Sequence, residues 1–161
     1  MTPEQEALAD IQDNCRQLIA GVVTDWSEFA TLFPIDEATV DAPTGPARHL
    51  FRSFSKSFEQ VQDQVMRKLL RAVLLVATGG PVEGRKLDQI LIDSAALIDL
   101  DIDQLRTITG IRNSLTHDYA LSFRTIAPVL NQAWAALPDL LALAERIDRF
   151  VGDRRLLEAK P

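Results

Sequence analysis

From Leu50 to Val73 apolar side chains return every three or four residues, at Leu50, Phe51, Phe54, Phe58, Val61, Val65, Leu69 and Val73. That period is helical, because 3.6 residues per turn carry such positions along one face. Pro46 stands at the start of the run and Gly79-Gly80-Pro81 stops it, so a helix from about Pro46 to Thr78 is expected, the longest element of the chain. A rod of that length with one apolar stripe cannot bury the stripe by itself. It commits the chain to an assembly of helices.

The other segments obey the same period. Thr2, Pro3 and Gln5 form a capping-box start for a first helix. Its stripe is Leu8, Ile11, Cys15, Leu18, Ile19, Val22 and Val23, running to about Asp25 and followed by one or two short turns around Trp26, Phe29, Leu32 and Phe33. Prolines, Gly45 and several Asp and Thr make 34–47 a proline-rich loop, an excursion from the domain. A third helix is expected from Arg85 to Ala96, and a fourth from an Asp101-x-x-Gln104 cap, with Leu105, Ile108, Ile111 and Leu115 on its buried face. Ser122 opens a fifth helix through Ile126, Leu130, Trp134, Leu137, Leu141 and Ile147, with a kink or break at Pro138 and a frayed tail over 153–161. No segment alternates apolar and polar residues as a half-buried strand does. The expected fold is all-α, a single domain over 1–161 built as an up-and-down bundle of about five helices.

Charge and rare residues narrow the function. A formal net charge of −6 argues against a broad basic face that coats nucleic acid, so any RNA contact is expected to be focal. The long helix carries Arg48, Arg52 and Lys56, then Glu59 and Asp63, then Arg67, Lys68 and Arg71, a row that in itself reads as solvated surface. Cys15 is the one cysteine, which rules out an intrachain disulfide, and two histidines, His49 and His117, make a dedicated zinc site unexpected. The acidic N-terminus lacks the basic start and apolar run of a secretory signal. The longest apolar run, Ala72 to Ala77, is far short of the roughly 20 residues that span a bilayer. A cytoplasmic protein with no membrane partner is expected.

Chemically capable side chains crowd together only at Arg112-Asn113-Ser114-Leu115-Thr116-His117-Asp118-Tyr119. A guanidinium keeps its charge at any working pH and can grip a phosphate with two N–H donors. An imidazole titrates near neutrality, so His117 is the candidate to take a proton from a ribose 2′-hydroxyl or give one to a leaving 5′-oxygen. Asn113 is a supporting candidate that orients the phosphate or the imidazole, or else serves the backbone. Taken alone, an Arg, a His and a Tyr near a helix end also suit ordinary surface or interhelical contacts. Arg112 and His117 stand about 140° apart on an ideal helix. Either the helix loosens near Thr116, the Arg side chain reaches around, or a second subunit on a two-fold axis supplies the facing groups.

The spacing Arg-Asn-x3-His-x-Tyr resembles the signature of the HEPN superfamily, most closely its HepT-type toxin branch. The resemblance covers most of the chain outside the loop. Phe54-x3-Phe58-Glu59-x3-Asp63 is similar to the second helix of these proteins, where an acidic pair, here Glu59 and Asp63, sits near the motif. Ile98-Asp99 through Ile111 is similar to the run that leads into it, and Trp134-x2-Leu137-Pro138-x-Leu140 to the closing helix. Ala136 departs from the pattern where an Asp commonly precedes Leu-Pro, as does the proline-rich loop.

The resemblance implies a homodimeric, metal-independent endoribonuclease, without a cofactor, of a prokaryotic toxin-antitoxin pair. Arg112 and His117 would be catalytic. Its partners would be RNA and a minimal nucleotidyltransferase antitoxin that silences it by transferring AMP from ATP to Tyr119. The alternatives are a non-catalytic HEPN subunit that presents nucleotide or substrate to a nucleotidyltransferase, and a plain helical dimerisation domain.

Overall fold

A computed structural model of the chain describes residues 1–118 and 122–158. It is all-α: five helical rods pack around one core, and no strand occurs among the described residues. The first rod is α1, Pro3–Ala30, opened by the expected box: the Gln5 N–H donates to Thr2 Oγ1, and the Thr2 N–H donates to Gln5 Oε1. It runs unbroken through Trp26 and Phe29, which the sequence placed in separate short turns. Phe29 is buried against Phe54, and Trp26 packs on Trp134 with ring centroids 4.8 Å apart, so tertiary contacts hold the last turns in register.

The second rod is not a uniform α-helix. It comprises α2, Gly45–Gln62, a π-helical segment over Asp63–Leu69, and α3, Leu70–Thr78, which ends at Gly79 with φ of 64°. Within the π segment hydrogen bonds reach five residues back, as from the Leu70 N–H to the Val65 carbonyl. The reason is visible in apolar doublets. Val65 and Met66, Leu69 and Leu70, and Val73 and Leu74 are all buried, so this half of the rod packs on two sides where a single stripe serves only one. Gln64, inside the wide turn, donates its amide to the Ile11 carbonyl of α1 at 3.0 Å.

The remaining rods are α4, Leu87–Ile98, α5, Ile102–Asp118, and α6, Phe123–Asp153. Asp101 caps α5 by accepting from the N–H groups of Asp103 and Gln104. α6 continues through both Pro128 and Pro138, so of the kink or break expected at Pro138 the break does not occur. Ala133, Leu137, Leu140 and Leu143 are buried on either side of Pro138, and that packing outweighs the backbone bond lost at proline. By length and composition α6 is apolar enough to cross a membrane, but Ile126, Leu130, Leu137 and Ile147 of its expected stripe, together with Leu140, lie in the core, while Leu141 is only partly buried.

Two connections were not legible locally. The proline-rich loop is pinned to α6 by Asn131, whose side chain accepts from the Ile35 N–H at 2.8 Å and donates to the Ile35 carbonyl at 2.9 Å. Phe33 then stacks on Trp134 with planes 7° apart. The stretch expected as a frayed tail is held as far as Glu158, because Gln5 donates to the carbonyls of Leu156 and Glu158 at 2.7 and 2.9 Å.

Cys15 lies buried on α1, and burial, reinforced by the Asp148 carboxylate, pushes its thiol up from 9.0 to about 11. The native thiolate fraction at pH 8 is therefore about 100-fold below that of a free thiol. A disulfide reagent should label the native chain about that much more slowly than the urea-unfolded chain. Equal rates would contradict the burial. Because the folded value is the higher one, this contribution to stability is complete below about pH 9 and is lost as pH rises through about 11.

Candidate functional site

The motif occupies the last turns of α5, and α2 lies alongside it. Helical spacing puts Arg112 and Thr116 one turn apart on the face toward α2, where two carboxylates of that rod meet them. Arg112 Nη2 donates to Asp63 Oδ2 at 2.8 Å, and Thr116 Oγ1 donates to Glu59 Oε2 at 3.0 Å. The acidic pair and the motif are thus in direct contact. Glu59 also accepts a longer bond from Ser55 at 3.4 Å, and the Thr116 hydroxyl lies 3.1 Å from the Arg112 carbonyl, one turn back.

Asp63 is shared between two cations. Its second oxygen, Oδ1, lies 3.2 Å from Arg67 Nε, so one carboxylate at the first residue of the π segment faces arginines of two rods. The Arg112 fork is only partly satisfied: the side chain is 19% exposed, Nη2 is bonded, and Nε is buried without an acceptor. A buried donor left unpaired costs about 1–3 kcal/mol, so the guanidinium gains from any rearrangement that brings it a second anionic oxygen.

His117 and Asn113 point away from this contact. Both are exposed, and neither hydrogen-bonds to a described residue. α5 is helical through Asp118, which removes local loosening at Thr116 as a way to bring the imidazole to Arg112. Arg112 is drawn the other way, toward Asp63. One chain therefore presents the guanidinium in a seam and the imidazole on open surface. Tyr119, the fourth motif residue with an expected role, lies outside the described residues.

Thr116 and Ser55 are partners that the motif reading did not assign, and Arg67 is a third. Thr116 sits four residues after Arg112 and so shares its face, a signal available from spacing; the other two depend on how the rods dock. A separate open groove of about 450 Å³ lies between α1 and the π segment with α3, lined by Ile11, Leu75, Arg67, Lys68 and Arg71 among others. Arg67, which pairs with Asp63, is the lining residue it shares with the site.

Compared with protein-family models, curated proteins and solved structures, the chain matches none.

Proposed function

We propose that this chain is a metal-independent endoribonuclease of the HepT type, the toxin of a toxin-antitoxin pair, working as a homodimer. The observation that carries the reading is the docking of the motif's Arg112, with Thr116 one turn on, against the acidic pair Asp63 and Glu59, with His117 left exposed. That contact joins two of the stretches, far apart in the chain, that carry the resemblance.

The chemistry follows from the side chains. An exposed imidazole takes the proton of a ribose 2′-hydroxyl, the oxygen attacks the adjacent phosphorus, and the 5′-oxygen leaves with a proton from a second imidazole. Arg112 stabilises the added charge on the phosphorane oxygens with the donors of its fork that Asp63 does not take, the Nε–H itself being buried in the seam. Since Arg112 and His117 of one chain diverge, a two-fold axis beside α5 supplies the facing pair from a second copy. AMP attached to Tyr119 by a minimal nucleotidyltransferase would set an anion among these cations and exclude the RNA phosphate.

A second reading has one observation in its favour. Because Asp63 already neutralises Arg112, the guanidinium also serves as a structural tie between α2 and α5, as in a non-catalytic HEPN subunit that holds nucleotide for a nucleotidyltransferase. One experiment separates the two. Incubated with RNA in EDTA, the chain should cut it and leave a 2′,3′-cyclic phosphate and a 5′-hydroxyl. After treatment with the antitoxin, ATP and magnesium, cleavage should cease and the intact mass should rise by AMP in wild type but not in Tyr119→Phe. Intact RNA at every enzyme concentration, together with saturable ATP binding, would select the second reading.

A further inference from the structure

We infer that the exposed face of α2 carrying Arg48, Arg52 and Lys56 is a seat for the phosphodiester backbone of single-stranded RNA, leading to the motif. The inference rests on the ribonuclease reading for its ligand and extends it to residues outside the motif.

The argument begins with where the chain's cations go. Many of the other arginines are matched with carboxylates: Arg16 with Asp13 and Asp148, Arg85 with Asp93, Arg106 with Asp88, Arg146 with Asp99, Arg155 with Glu158, and Arg112 and Arg67 with Asp63, while Arg71 is bonded to backbone carbonyls and Arg124, Arg149 and Arg154 do not fall in one row. Arg48, Arg52 and Lys56 have no carboxylate partner among the described residues, and all three are exposed. Spaced at i, i+4 and i+8, they follow one face with about 6 Å of helix rise between neighbours. In a chain whose net charge is −6, three unmatched cations in a row form a local field of opposite sign.

The same face holds the means to keep that field open. Glu59 is the one carboxylate of α2, and it accepts from Thr116 and Ser55 rather than from Arg52 or Lys56. Arg52, Ser55, Lys56 and Glu59 line a shallow depression of about 200 Å³. Its far wall, Glu59, is bonded to Thr116, so a strand lying along the row ends beside the last turns of α5, which carry the motif. A single helical face with a narrow row of cations suits one flexible backbone, and single strands are the form in which RNA is open to such contacts.

Counterion release gives the test its scale. Each phosphate neutralised on a single strand contributes about 0.7 to the slope of log affinity against log salt, so three lost contacts lower the slope by about 2 and the affinity roughly 100-fold at 100 mM salt. Binding of a fluorescent 2′-O-methyl oligoribonucleotide, which cannot be cleaved through the 2′-oxygen, is measured from 50 to 400 mM salt. The variants are Arg48→Ala/Arg52→Ala/Lys56→Ala and a control with the same charge change elsewhere, Lys68→Ala/Arg149→Ala/Arg154→Ala. Loss of slope and affinity in the first variant, with the control near wild type, is the expected result. Equal losses in both would reduce the effect to net charge and overturn the seat, as would no loss in either, or a wild type that binds polyglutamate more tightly than the oligonucleotide. Row-dependent binding without any RNA cleavage would remove the ribonuclease reading and leave the seat. Cleavage with row-independent binding would do the reverse.

Discussion

His117→Ala should lower RNA cleavage by about 10² to 10⁴, with no measurable change in the folded structure. The side chain is exposed and makes no hydrogen bond to a described residue, so its loss removes proton transfer and little else. Arg112→Ala should cost a comparable factor by removing charge stabilisation, but with a structural signature of its own. It leaves Asp63 with Arg67 alone and removes the tie between α5 and the second rod, so some stability goes with it. Arg112→Lys should recover that stability better than activity, because an ammonium can meet Asp63 but lacks the planar fork that grips two phosphate oxygens. Circular dichroism and cleavage rates on the same samples separate the two effects. Wild-type turnover by folded His117→Ala would end the nuclease reading, whatever Arg112 did.

The largest expected stability effect is at Phe58, which is 1% exposed and packs with Phe54 at 6.4 Å between ring centroids. Phe58→Ala should cost about 3–5 kcal/mol, the sum of lost transfer free energy and a cavity that rigid rods do not collapse into. Against a total stability of about 5–15 kcal/mol for a domain, that is a large fraction. The melting temperature should fall by about 6–20 °C. Val23→Ala is the matching control: its side chain is 57% exposed, and the change should stay within about 0.5 kcal/mol. Urea unfolding with an unchanged slope for both variants would place the difference in the native core. A Phe58→Ala midpoint equal to wild type would mean that this ring is not part of the load of the core.

Each feature that was legible in the sequence rests on interactions within a few residues. The capping box at Thr2 and Gln5, the Asp101 cap and the glycine stop at Gly79 are local hydrogen-bonding or backbone preferences, and all three stand where the pattern put them. The apolar period likewise decides which face of a helix turns inward. It does not decide how many sides will be covered, and so the doublets of the second rod became a π segment rather than a uniform helix.

Local reasoning also failed in the other direction. Pro138 reads as a kink or a break because the lost backbone bond is visible nearby, whereas the packing of Leu137 and Leu140 that carries α6 through it without a break is not. The same holds for Asn131, whose pairing with Ile35 spans 96 residues and turns an apparently loose loop into a strap.

For the candidate site the division is similar. The sequence by itself determined all-helical rods with their core faces and the cluster of Arg112, Asn113 and His117 at the end of one of them, because periodicity and spacing are properties of neighbouring residues. Only the tertiary structure decided that Arg112 meets Asp63 across 49 positions of chain, that Thr116 takes Glu59, and that His117 faces outward. Those outcomes depend on the angle and register at which α5 lies on the second rod. That register is set by the summed burial of Phe58, Leu105, Ile108, Ile111 and Leu115 and their neighbours. No short window of sequence contains that sum.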